Sequence, residues 1–127
     1  MTQRKSTILL VDDAATIRLL MRGLLGPDYT YLEADNGAAG FALAKKHLPD
    51  FILMDVQMPV ADGVEGLRWL KAEGTTKEIP VVMLTTDTTP QRRAQCRALG
   101  CAEFMSKPVD REALTSIVQR YLQRGRS

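Results

Sequence analysis

The sequence predicts an α/β fold of three layers, a doubly wound parallel (βα)5 sheet with helices on both faces. Two observations carry this. Five short apolar runs alternate with longer stretches of helical periodicity, which is how a helix-flanked parallel sheet is written into a chain. Three of those runs, the first, third and fourth, hold few polar residues, as strands covered on both faces do.

The first run is Ser6 to Val11, and the helix after it places Ile17, Leu20, Met21 and Leu24 at i, i+3, i+4 and i+7, one face toward the sheet. The turn residues Gly26-Pro27-Asp28 lead into the second run, Tyr29 to Ala34. Asn36-Gly37 opens a second helix, patterned by Gly40, Phe41, Ala44 and Leu48. Pro49-Asp50 precedes the third run, Phe51 to Met54, and Asp62-Gly63 precedes a helix marked by Val64, Leu67 and Leu70. After Gly74 comes the fourth run, Ile79 to Leu84. Pro90 suits the first turn of a weaker fourth helix, with Ala94, Ala98 and Leu99 as its inner face. Gly100 separates it from the fifth run, Cys101 to Met105, and Leu114, Ile117, Val118 and Tyr121 form a well-spaced last helix.

A chain of 127 residues matches one domain with one core, expected over about residues 6 to 124. Its 45% apolar and 25% charged content argues against disorder. No apolar run is long enough to cross a bilayer, and Met1 to Lys5 lacks the apolar stretch of a secretion signal, so the expectation is a cytoplasmic protein. Cys96 and Cys101 lack the further Cys or His that a zinc site needs and read as reduced thiols. The net charge of +2 is uneven: residues 89 to 127 hold eight Lys/Arg against three Asp/Glu. Arg92, Arg93 and Arg97 are read as a solvated helix face, with no direct nucleic acid binding expected. His47, the single histidine, reads as a solvated helix-terminal residue, and Met58, Trp69 and Tyr121 as packing residues.

In open parallel sheets, ligands gather beyond the carboxyl ends of the strands. There the sequence offers Asp12-Asp13 after the first run, Asp55 after the third, Thr85 after the fourth and Lys107 soon after the fifth. Clustered carboxylates repel one another unless a cation joins them. An all-oxygen acidic set with no His or Cys suits Mg²⁺. Beside such an ion a carboxylate can attack phosphorus while an ammonium and a hydroxyl meet the equatorial oxygens. Asp55, alone at its strand end, is the candidate nucleophile. Asp12 and Asp13 are candidate holders of metal and its waters, and Lys107 and Thr85 candidate phosphoryl partners. The bland reading of Asp12 and Asp13 is that they cap the first helix.

At these residues the sequence resembles the response-regulator receiver family, from Ile8 to about Leu122. The resemblance is carried by Ile-Leu-Leu-Val-Asp-Asp ending at Asp13, Met-Asp-Val-Gln-Met-Pro over Met54 to Pro59, Asp62-Gly63, Met-Leu-Thr-Thr ending at Thr86, and Ser-Lys-Pro ending at Pro108. It implies a flavodoxin-like fold with strand order 2-1-3-4-5. It implies phosphorylation of Asp55 by a histidine kinase, a phosphotransfer protein or a small phosphodonor, in two-component signalling of the chemotaxis or phosphorelay type. It implies Mg²⁺, with Mn²⁺ as a substitute, on Asp13, Asp55 and the main-chain carbonyl of Gln57, with Asp12 acting mainly through water. A cis Lys107-Pro108 bond is implied too. So is a switch in which Thr85 moves toward the phosphoryl group and Phe104 turns inward, altering the face of the fourth helix, fifth strand and fifth helix that a downstream protein reads. On this reading the chain is no enzyme beyond its own phosphorylation and slow dephosphorylation, and is a monomer or a phosphorylation-dependent dimer.

Phe104 stands where many relatives carry Tyr, and Thr86 is bulkier than the Ala often found there. Gln57, Thr86 and Asp87 are candidates to set the rates. Two alternatives stand beside this reading. A haloacid-dehalogenase-like phosphatase needs an Asp-x-Asp on its first strand, where this chain has adjacent Asp12-Asp13. A pseudo-receiver binding module keeps the fold without phosphorylation.

Overall fold

The computed structural model describes residues 5–124. Ten elements alternate: β1 (Thr7–Val11), α1 (Ala15–Leu25), β2 (Thr30–Ala34), α2 (Gly37–His47), β3 (Phe51–Asp55), α3 (Gly63–Ala72), β4 (Val81–Thr85), α4 (Pro90–Ala98), β5 (Glu103–Ser106) and α5 (Arg111–Arg124). The strands pair in parallel in the order β2-β1-β3-β4-β5, as the family resemblance implied.

Side chains alternate across a strand, so each central strand feeds two cores. Leu9, Val11, Ile52, Met54, Val81 and Met83 pack with Ala44, Val64, Leu67, Leu70 and Cys96 on the side of α2, α3 and α4. Ile8, Leu10, Phe51, Leu53, Val82 and Leu84 pack with Met21, Leu114, Val118 and Leu122 on the side of α1 and α5. Every residue of β3 and β4 is buried, as their unbroken apolar runs predict. No helix among the described residues is long and apolar enough to cross a membrane.

The apolar runs overreach the strands by a residue or two at their N-terminal ends: Ser6, Tyr29, Ile79 and Cys101 lie outside the ladder. The helical faces need correction in three places. On α1 Leu20 is 52% exposed and Leu19 69%, so the inner face is Met21 with Ile17, Leu24 and Leu25. Leu48 is the left-handed C-cap of α2 (φ 50°) and sits half exposed instead of continuing its face. On α4 the buried residue is Cys96, while Ala94 and Ala98 are exposed. Alanines are compatible with either side of a short helix, and a thiol, a small apolar group, buries more surface.

Side-chain caps fix four helix starts: Asn36 accepts from the Ala39 N–H, Asp62 from Glu65, Thr89 from Arg92 and Asp110 from Ala113. Pro90 occupies the first turn of α4, as expected. The start of α1 differs, for its N-cap is Ala14 and no side chain caps it. The acid pair does not serve as that cap. The Lys107-Pro108 peptide is cis.

Candidate functional site

The register brings the predicted residues to one rim. Val11 pairs with Met54, Asp55 with Leu84 and Thr85 with Ser106, so the chain segments leaving β1, β3, β4 and β5 end side by side. Two hydrogen bonds extend the ladder past the strands: Val56 N–H to the Leu84 carbonyl (2.9 Å) and Lys107 N–H to the Thr85 carbonyl (2.9 Å).

Carboxylate oxygens of Asp12, Asp13 and Asp55 lie within 4.8 Å of one another. Asp12 and Asp55 are buried and Asp13 is exposed, which makes a floor of two acids and a third at the solvent edge. The Lys107 ammonium bridges the buried two, 3.0 Å from Asp12 Oδ2 and 3.1 Å from Asp55 Oδ1. Asp12 is fully engaged, since its Oδ1 accepts the Ala14 N–H at 2.9 Å.

Burial pushes the Asp55 carboxyl above its ordinary value. The Lys107 hydrogen bond pulls the other way, and the negative charge of Asp12 adds to the rise. For Lys107 burial opposes the charged form, but the hydrogen bonds and charges of Asp12 and Asp55 outweigh it and the net direction is up. The ammonium therefore stays charged where it is needed. Three acids around one amine leave an excess of negative charge and a set of hard oxygen donors, which fits a small divalent cation such as Mg²⁺.

Thr85 is fully buried at the end of β4, and its hydroxyl oxygen accepts the Asp87 N–H at 2.9 Å. That bond uses an acceptor lone pair, not the O–H donor. The side chain of Gln57 accepts from the Thr86 hydroxyl at 3.1 Å, linking the two loops that follow β3 and β4. Asp87 is held by Arg92 (3.3 Å) and the Thr89 N–H (3.1 Å), and those hydrogen bonds, the Thr89 one first, keep its carboxyl below the ordinary range.

Phe104 does not join the acids. It is half-buried against the α2–α3–α4 core with the Arg93 guanidinium 5.2 Å from its ring centre. His47 is exposed in the last turn of α2.

Two contributors were not read from the sequence. Gly63 is one: a Cβ there would sit 2.0 Å from the Asp55 carbonyl oxygen, so only hydrogen lets α3 start against the strand that carries the central acid. Asp62-Gly63 looks like a turn signal, and nothing in it reveals that approach. The other is Arg18, whose guanidinium bonds the Asp12 main-chain carbonyl and Glu33 of β2. A charge set within the apolar stretch Ile17 to Met21 is the signal that was available.

The family model for the response regulator receiver domain matches residues 8–119. This chain belongs to that family. It is 34% identical over 116 residues to Protein PilH of Pseudomonas aeruginosa, covering 91% of this chain and 96% of that protein. It is 39% identical over 106 residues to a histidine kinase of Formosa agariphila, covering 84% of this chain but only 8% of the kinase. Among solved structures, the receiver domain of a sensor histidine kinase from Pseudomonas aeruginosa, described with a magnesium ion coordinated in its active site cleft, superposes with TM-score 0.84 at 28% identity, covering 94% of this chain and 99% of that one. The chain is thus a receiver domain of the two-component signalling type, in a family of regulators. Such domains occur as nearly whole proteins and as small parts of long ones.

Proposed function

We propose that the chain is a phosphorylation-dependent switch in which Asp55 accepts a phosphoryl group from a histidine kinase or phosphotransfer protein, with Mg²⁺ at the acid cluster. The carrying observation is the three carboxylates within 4.8 Å, two of them bridged by Lys107, on one strand-end rim. The magnesium-bearing receiver of the Pseudomonas kinase supports the same reading.

Asp13, Asp55 and the Gln57 main-chain carbonyl would hold the ion, with Asp12 acting through water. When bound, Mg²⁺ (or Mn²⁺) supplies positive charge that lets the acids stay ionised and neutralises the phosphoryl oxygens. Asp55 attacks phosphorus through one carboxylate oxygen as the bond to the donor's histidine nitrogen breaks, and the nitrogen keeps the electron pair. Lys107 then pairs with a phosphoryl oxygen in place of one carboxylate contact, and the Thr85 O–H donates to another. Asp12 is poorly suited to be the nucleophile because Ala14 and Lys107 already occupy its two oxygens.

The added charge of about −1.5 to −2 draws Thr85 and Lys107 inward. Space opens above β4 for Phe104, and the α4–β5–α5 face changes for a downstream protein. This is a population shift, bounded by how much better the phosphoryl group binds one state than the other. Catalysis extends to the domain's own phosphorylation and slow dephosphorylation. The family match over 8–119 supports reading residues 1–127 as one receiver domain, working in the cytoplasm with its kinase.

The test is to incubate the protein with a small acyl phosphate and Mg²⁺ and to look by intact mass for one added phosphoryl group. Asp55→Asn and omission of Mg²⁺ are both expected to abolish labelling. Equal labelling of Asp55→Asn would reject the nucleophile. No labelling of the parent chain would favour a binding module.

A further inference from the structure

Asp12 is held at every polar group. Its N–H donates to Ala34 of β2 (3.1 Å), its Oδ1 accepts from Ala14 and its Oδ2 meets Lys107. Its main-chain carbonyl accepts from Arg18 Nη1. Arg18 is not a loose surface charge: its side chain is 16% exposed, and Nε donates to Glu33 Oε1 at 2.8 Å. Glu33 is gripped a second time by Arg22, one turn further along α1, at 3.0 Å.

A planar guanidinium can serve two acceptors at fixed angles, which an ammonium cannot do. The peptide leaving β1, from which Asp12 and Asp13 project, is thereby clamped between α1 and the edge strand β2.

We infer that Arg18 is a positioning residue for the acid pair, which by fixing the Asp12 carbonyl sets the directions of both carboxylates and hence the affinity of the cluster for a divalent cation. The inference rests on the cation-site reading above. It makes a claim of opposite sign to simple electrostatics. Deleting a positive charge beside an acid cluster should tighten cation binding by Coulomb attraction alone, whereas loosening the clamp should weaken it. Groups that orient metal ligands from behind typically contribute about 10- to 100-fold in affinity.

The experiment is Mn²⁺ binding to the full chain by electron paramagnetic resonance, in high salt to screen the Coulomb contribution. Arg18→Ala, Arg18→Lys, Glu33→Gln and Asp13→Asn are compared, with folding of each checked by circular dichroism. Arg18→Ala is expected to bind about 10-fold more weakly. Arg18→Lys recovers only part of the loss, since one ammonium cannot hold both acceptors at the same angles. Glu33→Gln, which keeps the guanidinium but weakens its anchor, falls between Arg18→Ala and the parent. It carries the test alone should Arg18→Ala not fold. Unchanged or tighter binding by Arg18→Ala, or full recovery by lysine, overturns the positioning role. If the parent chain binds no Mn²⁺ that Asp13→Asn removes, the cation-site reading fails, and this inference with it.

Discussion

The two flanks of the sheet are built differently. On the α1–β2 side, Arg18 and Arg22 both grip Glu33, Arg22 lies 5.4 Å from the Tyr31 ring centre, and the Tyr31 hydroxyl donates to the Gly26 carbonyl. On the α4–β5 side, β5 has no fully buried residue and α4 buries only Cys96; Arg93 lies over the Phe104 ring, and α5 reaches Glu103 of β5 through Arg120 (3.4 Å) and the Tyr121 hydroxyl (3.0 Å). The first flank steadies Asp12 and Asp13, and the second supplies Thr85 and leads into Lys107. Regions with few buried apolar groups open at lower free energy. On the proposed function, the acids that hold the ion and the groups that move on phosphorylation are drawn from opposite sides of one sheet.

The largest effect is expected where the flanks share a floor. Gly63→Ala forces a methyl group to 2.0 Å from the Asp55 carbonyl oxygen, a backbone atom that cannot turn aside as a side chain could. Overpacking of this kind costs about 3 kcal/mol. Urea unfolding measures it. A loss below about 1 kcal/mol would mean that the start of α3 can back away, and the rim would then be softer throughout than either flank suggests.

Asp55→Asn should act next, and in the opposite direction. The folded protein raises the Asp55 carboxyl, first by burial, so its charged form costs native stability. That cost is absent below the ordinary 3.8 and complete once pH exceeds the raised folded value. The amide removes it, so the melting temperature should rise by a few degrees at neutral pH and the difference should vanish in acid. A variant less stable than its parent at neutral pH would show that the Lys107 bridge outweighs burial.

Glu33→Gln probes the steady flank directly. The Arg18 hydrogen bond, aided by Arg22 and opposed by burial, holds the Glu33 carboxyl below its ordinary 4.5. A lowered acid stabilises above that value and loses the contribution as pH falls through its folded one. With the pair partly solvated, the loss is about 0.5 kcal/mol at neutral pH. It should disappear in melting curves taken well below 4.5. A difference that persists in acid would assign the effect to packing and not to the ion pairs.

The sequence disclosed more of the site than of its supports. Asp12, Asp13, Asp55 and Lys107 were legible because each follows an apolar run, and a parallel sheet turns that position into a shared rim whatever the details of packing. The helical faces were less legible. Leu20 fits the period of α1 yet is exposed, because a 3.6-residue repeat marks a stripe without saying how wide the neighbour's cover is. The two alanines chosen for α4 gave way to Cys96 for a related reason. Arg18 and Glu33 are 15 positions apart, and no local rule joins a helix residue to the edge strand that follows it. The approach of Gly63 to Asp55 is likewise tertiary.

The smallest effect tests whether the second flank is separable at all. Arg93 is exposed on α4, and its contact with the Phe104 ring is of a kind that contributes about 0.5–1 kcal/mol at exposed sites. Arg93→Ala should therefore barely move global unfolding. Its signature should be local: amide exchange at Phe104 and Met105 in β5 should quicken severalfold, while exchange at Leu9 and Leu10, buried in the central strand β1, should not change. If the ring is held outward chiefly by that guanidinium, the variant should also bind a phosphoryl mimic more tightly, because the inward state is then reached at less cost. Equal acceleration in β1 and β5 would show one cooperative unit. The phosphoryl group would then have to move the whole sheet, and the division between a still flank and a mobile one would be lost.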